Sequence, residues 1–153
     1  MADTYSQISI QVVFAVKGRE SFIIQSFRDE LHRYIAGIRE GKKQKSLAVN
    51  GWQDHVHAFF GIEPSESISD LVRDIKANSS KWVNERRFLK DKFRWQEGFG
   101  AFSYSKSQRD TVIKYIMNQE QHHNRKTFRE EYLDMLRKAE IEFESRYLFE
   151  FYD

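Results

Sequence analysis

The sequence predicts an α+β fold with a central antiparallel sheet. Apolar residues alternate with period two near the N-terminus, and a helical apolar pattern follows them. A short hairpin, a second helical segment and an aromatic strand come next. The order strand, helix, strand, strand, helix, strand is the split βαβ arrangement of ferredoxin-like domains. The first and third strands are therefore expected in the middle of the sheet.

Each element of this core has its own sequence signal. Residues 5–16 alternate apolar side chains and predict the first strand, and residues 21–38 have apolar residues at helical spacing. Residues 46–50 and 54–62 are two short strands separated by a tight turn. A capping serine, Ser67, begins the second helix. The aromatic segment "FRWQEGFGAFSYS" then predicts the fourth strand.

Two further helices are predicted after the sheet. Ser107 and Thr127 each precede an acidic residue by three positions, a pattern typical of a helix N-terminus, and the first of these helices is expected over 107–123. The chain has no internal repeat and no linker-like segment, so we expect one domain over 1–153. Its core covers about 5–124, and a helical, acidic extension covers about 125–153.

Composition and charge narrow the class of protein. The chain has no cysteine, which excludes a disulfide framework, a thiolate metal site and a thiol nucleophile. Its apolar runs are too short to span a bilayer and its N-terminus does not resemble a signal peptide, so we expect a cytoplasmic protein without a membrane partner. The last fifteen residues carry a charge of −4, which leaves +6 on residues 1–138. That charge suits a nucleic acid partner, although a solvated surface of mixed sign is the commoner explanation.

Two histidines interrupt the apolar third strand. His55 and His57 are two residues apart, so their side chains share one face of that strand. Two imidazoles on a rigid central strand pack poorly in a core but form half of a metal site. On spacing alone, structural histidines remain the more frequent explanation.

The predicted helix over 107–123 adds two candidate residues. Tyr115 and Gln119 are four residues apart and therefore share one helical face. A glutamine carbonyl oxygen is a neutral, hard ligand that can complete a metal site. A tyrosine hydroxyl can act as a covalent nucleophile, but with a pKa of about 10 it needs a base or a cation to react at neutral pH. An ordinary interfacial aromatic is the alternative for Tyr115.

In the residues described above, the chain resembles the single-tyrosine HUH transposases of the insertion-sequence 200/605 group. The resemblance rests on "DHVH", on "YIMNQEQHH", on the opening "VVFAVKGRE" and on the helix "SISDLVRDIKANSSKW", and it covers nearly the whole chain. The chain differs from the family in having "GWQ" where "MP" commonly precedes "DHVH". It also differs in its acidic C-terminal extension, for which the core family suggests no role.

The resemblance implies an HUH endonuclease fold and a mechanism. His55, His57 and Gln119 would hold Mg²⁺ or Mn²⁺, and Tyr115 would attack the scissile phosphate to give a 5′-phosphotyrosine and a free 3′-hydroxyl. A second 3′-hydroxyl would reverse the reaction and rejoin strands without ATP or another nucleotide cofactor. The implied substrates are single-stranded DNA hairpins at element ends in a prokaryotic cell. The implied working unit is a homodimer whose active sites are shared between subunits.

Basic residues between the second helix and the fourth strand are candidates for DNA contacts. Such side chains position a nucleic acid through its phosphates, and interleaved aromatics can stack on unpaired bases. The candidates are Arg73, Lys76, Lys81, Arg86 and Arg87.

Three other interpretations remain at this stage. A catalytically idle, transposase-derived protein would bind DNA hairpins without cutting, but none of the four key side chains is missing. A phosphoesterase with two H-x-[ST] motifs is disfavoured, since the chain has a single H-x-H followed by Ala58. Replication initiators and relaxases share HUH chemistry but usually have longer chains.

Overall fold

The computed structural model describes residues 3–38 and 46–153. The helices and strands, in chain order, are β1 (Ile8–Ala15), α1 (Gln25–Gly37), β2 (Ser46–Gly51), β3 (His55–Ile62), α2 (Ile68–Arg86), β4 (Gly100–Tyr104), α3 (Arg109–Met117), α4 (Gln119–His123) and α5 (Phe128–Lys138). Within these ranges no helix combines the length and hydropathy needed to cross a membrane.

The four strands form one antiparallel sheet in the order β2-β3-β1-β4. β1 and β3 are its central strands, so the ferredoxin-like prediction is confirmed. They pair along their full lengths, from Ile8 opposite Ile62 to Ala15 opposite His55. Because both strands are covered on both faces, they are buried almost throughout.

One face of the sheet packs against α1 and α2. The period-two pattern of β1 turns Ile10, Val12 and Phe14 into this core, where they meet apolar side chains of both helices. α2 begins where the sequence predicts, since Ser67 Oγ accepts a hydrogen bond of 3.3 Å from the Asp70 amide. The layer of α1 and α2 holds the central strands in place. The opposite face of these strands carries the side chains of His55 and His57.

The opposite face is covered by α3, α4 and α5. Phe128 and Tyr132 of α5 pack against Val13 and Ala15 of β1. α5 has the predicted capping box, in which Thr127 Oγ1 accepts a hydrogen bond of 3.2 Å from the Glu130 amide. This cap fixes the residue at which α5 begins, and the packing on β1 determines which of its side chains face the sheet.

The single helix predicted over 107–123 is wrong in two respects. Asn118, with φ −100° and ψ 19°, separates α3 from α4. An asparagine side chain competes for backbone hydrogen bonds and so favours such a break. The N-terminal capping box is formed by Ser105 and Gln108 rather than at Ser107. Gln119 therefore begins α4 and does not belong to the helix that carries Tyr115.

The aromatic strand predicted over 93–105 is shorter than expected. Only β4 is a continuous strand, while Trp95 makes an isolated bridge to Val16. Gly98 between them has φ +84°, a left-handed conformation that other residues rarely adopt. The chain therefore turns at this glycine before it joins the sheet.

The acidic C-terminal extension has a structural role that the sequence does not reveal. Phe149 is buried, with its ring centroid 5.9 Å from that of Phe128 and 5.0 Å from that of Tyr132. The Tyr152 hydroxyl accepts a hydrogen bond from the Gly18 amide, which ties the C-terminus to the end of β1. The extension thus completes the apolar cluster between α5 and the sheet, and its removal would expose apolar surface.

His32 of α1 makes the stability of this fold depend on pH. It is buried, and its Nε2 has no hydrogen-bond partner among the described residues. Burial lowers the pKa of His32 to about 4, below the value of about 6.5 in an unfolded chain. The unfolded chain therefore binds a proton at His32 more readily than the folded chain does. The free energy of unfolding is unaffected by protonation of this residue above pH 6.5 and decreases as the pH falls toward 4.

Replacing His32 with glutamine should reduce this acid sensitivity. Between pH 7 and pH 5 the wild-type chain should lose about 2 kcal/mol more unfolding free energy than the variant, because only the wild type must keep a neutral imidazole buried. Urea unfolding at the two pH values measures the difference. Equal losses in the two chains would contradict this role of His32.

Candidate active site

The predicted functional residues meet on the face of the sheet that α3, α4 and α5 cover. His55 and His57 are fully buried, and their ring centroids are 5.0 Å apart. The Tyr115 ring of α3 is 6.0 Å from the His57 ring, and the Gln119 Oε1 atom of α4 is 3.0 Å from His55 Nε2. The structure therefore brings all four residues together within one chain.

Each histidine of β3 is oriented by a hydrogen bond at Nδ1. His55 Nδ1 donates to Asp54 Oδ1 at 2.7 Å, and His57 Nδ1 donates to Gln11 Oε1 at 2.7 Å. The Gln11 amide is itself fixed, since its nitrogen donates to the Tyr104 hydroxyl. These acceptors place the proton on Nδ1 and direct Nε2 into the site, which is the usual arrangement of a metal-binding histidine.

Glu131 of α5 lies at the centre of the site, although it is not among the residues predicted from the sequence. Its side chain is 1% exposed, and Oε1 lies 3.0 Å from His57 Nε2 and 3.2 Å from His55 Nε2. Oε2 accepts hydrogen bonds from the Tyr115 hydroxyl and from Gln119 Nε2. His55, His57 and Glu131 form a buried group that could hold a metal ion.

The electrostatics of the site keep this carboxylate ionised. Burial alone would raise the pKa of Glu131, but the surrounding imidazoles of His57, His123 and His55 outweigh burial and hold the pKa far below its usual range. Burial lowers the pKa of His57. At His55, burial is outweighed by hydrogen bonds to Asp54 and Glu131, which raise its pKa to about 9.

Tyr115 is held as a neutral hydrogen-bond donor. Burial and the adjacent Glu131 carboxylate both raise the pKa of its hydroxyl, so the hydroxyl stays protonated at neutral pH. The same oxygen lies 3.4 Å from His122 Nε2. Glu131 Oε2 therefore faces the proton of the Tyr115 hydroxyl.

A surface groove of about 1080 Å³ opens at Tyr115. Lys114, Arg125 and Lys126 contribute positive charge to its lining. None of these three residues is among the DNA contacts predicted from the sequence. Lys114 precedes Tyr115 on α3, whereas the position of Arg125 and Lys126 depends on the turn between α4 and α5, which the sequence pattern does not define.

Two of the predicted DNA contacts lie on the other side of the sheet. Arg73 and Lys76 of α2 line a second groove, of about 640 Å³. Lys76 Nζ is already engaged there, since it donates to the backbone carbonyls of Gln96 and Gly98 at 2.8 and 2.7 Å. Further basic residues in the lining are Lys17, Lys92 and Arg94.

The other three predicted contacts lie farther along α2, toward its C-terminal end. Lys81 Nζ is 3.9 Å from Glu85 Oε1, and the Arg86 guanidinium lies 5.5 Å from the Trp82 ring centroid. Arg87 ends the helix in a left-handed conformation, with φ 55°. The structure therefore divides the predicted contacts between two parts of α2.

A comparison of the sequence with known protein families indicates the same class of protein as the fold and the site. Residues 4–119 match the sequence profile described as "Transposase IS200 like", and the chain belongs to this family. The ISDra2 transposase TnpA of Deinococcus radiodurans is 24% identical over 122 residues, which cover 74% of this chain and 84% of that protein. The family predicted from the sequence is confirmed. Glu131 and the rest of α5 lie beyond the matched range.

Two solved structures share the fold. A Deinococcus radiodurans R1 protein assigned as a transposase has a TM-score of 0.61 and 21% identity, with 78% of this chain and 95% of that chain covered. The REP-associated tyrosine transposase bound to a REP hairpin has a TM-score of 0.57 and 16% identity, with 80% and 73% covered. Both likenesses support the predicted ferredoxin-like architecture.

Proposed function

We propose that this chain is a transposase that cleaves and rejoins single-stranded DNA through a covalent tyrosine–DNA intermediate. The observation that carries the proposal is the contact between the Tyr115 hydroxyl and Glu131, beside the imidazoles of His55 and His57. This cluster adjoins a groove with basic residues, which suits a polyanionic substrate. Membership in a transposase family agrees with DNA as that substrate.

Tyr115 is the proposed nucleophile and Glu131 its proton acceptor. As the Tyr115 oxygen attacks phosphorus, its proton passes to the carboxylate oxygen that already accepts its hydrogen bond, and Glu131, whose pKa lies far below its usual range, releases that proton to solvent. The bond from phosphorus to the 3′-oxygen breaks, and that oxygen takes up a proton from water and leaves as a 3′-hydroxyl. The resulting 5′-phosphotyrosine retains the energy of the phosphodiester. A second 3′-hydroxyl can therefore rejoin the strand without a nucleotide cofactor.

The donor atoms around Glu131 fit a divalent cation, which we propose to be Mg²⁺ or Mn²⁺. His55 and His57 offer Nε2 atoms, Glu131 offers an ionised carboxylate, and the Gln119 amide oxygen lies beside them. When bound, the cation would offset negative charge on the attacked phosphate. The protein's own contribution is to fix these donors through Asp54 and Gln11, so that little reorganisation accompanies the reaction.

We propose that the substrate is a single strand that carries a hairpin. The REP-associated tyrosine transposase with a similar fold is bound to such a hairpin. In this chain, Lys114, Arg125 and Lys126 would hold the strand beside Tyr115, while the groove of Arg73 and Lys76 offers a second basic surface. Lys81, Arg86 and Arg87 remain predicted contacts on α2.

The direct test uses hairpin-forming sequences from the flanks of the gene. Incubation of the purified chain with such single strands and Mn²⁺ should produce a protein–DNA band that survives denaturing electrophoresis and carries the strand downstream of the cut. Chelation of the metal should prevent the band. Hairpin binding without any covalent band would instead favour the alternative, a catalytically idle hairpin-binding protein.

Salt dependence tests the proposed phosphate contacts. DNA affinity should fall steeply with salt, because lysine and arginine displace counterions from phosphates. Arg125→Ala should reduce the slope of log affinity against log salt by roughly one unit. Arg146→Ala is the control, since its guanidinium pairs with Glu144 in the C-terminal extension. An unchanged slope for Arg125→Ala would argue against DNA contact in the groove beside Tyr115.

The homodimer with shared active sites, which the resemblance implies, remains a prediction. Mixed chains can test whether the sites are shared between subunits or lie within one chain. A mixture of Tyr115→Phe and His57→Ala chains recovers cleavage only if the tyrosine of one subunit works with the histidines of the other. Tyr115 contacts Glu131 and lies beside His57 within one chain, so the geometry predicts an inactive mixture. Restored cleavage, with mixed dimers verified, would establish the shared arrangement instead.

A further inference from the structure

A third imidazole reaches the same carboxylate oxygen as His55 and His57. His123, the last residue of α4, places Nε2 at 3.3 Å from Glu131 Oε1, and its side chain is 3% exposed. The Nε2 atoms of His55 and His57 lie 3.2 and 3.0 Å from that oxygen. Three imidazoles from two separate elements therefore converge on one point.

His123 is oriented in the same way as the two histidines of β3. Its Nδ1 donates to the backbone carbonyl oxygen of Lys126 at 2.9 Å, so Nδ1 carries the proton and Nε2 faces the site. His55 and His57 have corresponding acceptors in Asp54 and Gln11. An acceptor behind each ring is the arrangement that fixes the tautomer and direction of metal-binding histidines.

This orientation leaves acceptor atoms facing one another. As neutral rings with the proton on Nδ1, the three histidines would direct Nε2 lone pairs toward Glu131 Oε1, and the Gln119 Oε1 atom lies 3.0 Å from His55 Nε2 and 2.9 Å from His123 Nε2. Protonation of all three rings would bury three positive charges against one carboxylate, which is costly. A divalent cation among these atoms satisfies every one of them and leaves the rings neutral.

We propose that His123 is a third imidazole ligand and that His55, His57, His123 and Glu131 hold a transition-metal dication such as Mn²⁺ in preference to Mg²⁺. This inference rests on the metal site of the proposed function and specifies its ligands and its ion. Mg²⁺ prefers oxygen ligands and retains several waters, whereas imidazole nitrogen suits first-row transition metals. The proposed ligand set keeps His55 and His57 of the predicted trio and adds an imidazole and a carboxylate, while the Gln119 amide oxygen lies beside them.

The test measures metal binding by the full chain without DNA. Calorimetry on metal-free protein should show Mn²⁺ and Co²⁺ binding at least tenfold more tightly than Mg²⁺. His123→Gln should weaken Co²⁺ and Mn²⁺ binding by roughly 10- to 100-fold or more, the scale expected when a metal site loses a supporting group. It should also alter the visible absorption of bound Co²⁺. The matched control His32→Gln, on a buried histidine of α1, should change neither measurement.

A second measurement counts the imidazole ligands in the wild-type chain, in case His123→Gln does not fold. Proton NMR of the Co²⁺-bound protein should show three paramagnetically shifted ring N–H signals. Two such signals, or equal Mn²⁺ affinity in folded His123→Gln and wild-type chains, would overturn the proposal. Mg²⁺ binding as tightly as Mn²⁺ would also overturn it.

The two proposals fail in different ways. A chain that binds Co²⁺ through three imidazoles but forms no DNA adduct would contradict the proposed function and leave the ligand assignment standing. A chain that forms the adduct but whose His123→Gln variant binds Co²⁺ like the wild type would contradict only the ligand assignment.

Discussion

Replacing Tyr115 with phenylalanine should reduce the covalent protein–DNA adduct to background while hairpin binding changes little. The substitution removes only the hydroxyl that attacks phosphorus, and the ring keeps its place beside His57. Glu131 loses one hydrogen-bond donor but retains Gln119 Nε2 and the surrounding imidazoles. Denaturing electrophoresis measures the adduct, and a native gel shift measures binding.

The matched control for this variant is Tyr132→Phe. Tyr132 is a buried tyrosine of α5 that packs against Phe128 and Phe149 in an apolar cluster. Its loss of a hydroxyl should leave the adduct unchanged. A covalent band of normal intensity in Tyr115→Phe would show that another residue is the nucleophile.

His57→Ala should abolish metal binding and cleavage together. The substitution removes the Nε2 atom 3.0 Å from Glu131 Oε1, and the remaining donors hold a dication poorly. Because His57 is fully buried, the cavity also costs about 2 kcal/mol or more of stability, so folding must be verified by circular dichroism. Calorimetry with Mn²⁺ and the adduct assay measure the two losses.

Gln119→Ala provides the graded comparison for His57→Ala. Water can replace a neutral amide oxygen, so we expect a smaller loss of Mn²⁺ affinity and partial cleavage. His32→Ala controls for the loss of a buried imidazole elsewhere. Unchanged Mn²⁺ binding in folded His57→Ala would mean that the histidines of β3 are structural, the interpretation that spacing alone favours.

The parts of the fold that the sequence predicts are those that local physical rules determine. Alternation with period two on β1 and β3 specifies which side chains face α1 and α2 and which face the opposite side of the sheet. It therefore puts His55 and His57 on one face. Side-chain caps at Ser67 and Thr127 specify where α2 and α5 begin. The break at Asn118 is not predicted because the apolar pattern ends at Met117 and does not define the backbone beyond it, where a local preference of asparagine interrupts the helix.

The site residues that the sequence does not predict are brought to the site by tertiary packing. Glu131 is separated from His57 by 74 positions, and nothing local indicates that α5 docks over β3. A signal was nevertheless present, since Glu131 falls on the apolar side of α5 next to Tyr132, where an unpaired acid is costly. His123 likewise has no local signal of a ligand, because only the turn before α5 brings it to the carboxylate.

The most direct test of the central claim is to identify the residue that becomes linked to DNA. After reaction with hairpin-bearing single strands and nuclease digestion, trypsin should release residues 115–125, a peptide in which Tyr115 is the only tyrosine. Mass spectrometry is expected to find the phosphate-linked nucleotide on Tyr115 of this peptide. A nucleotide on any other residue, or an unmodified peptide from chains that have cut their substrate, would contradict the account.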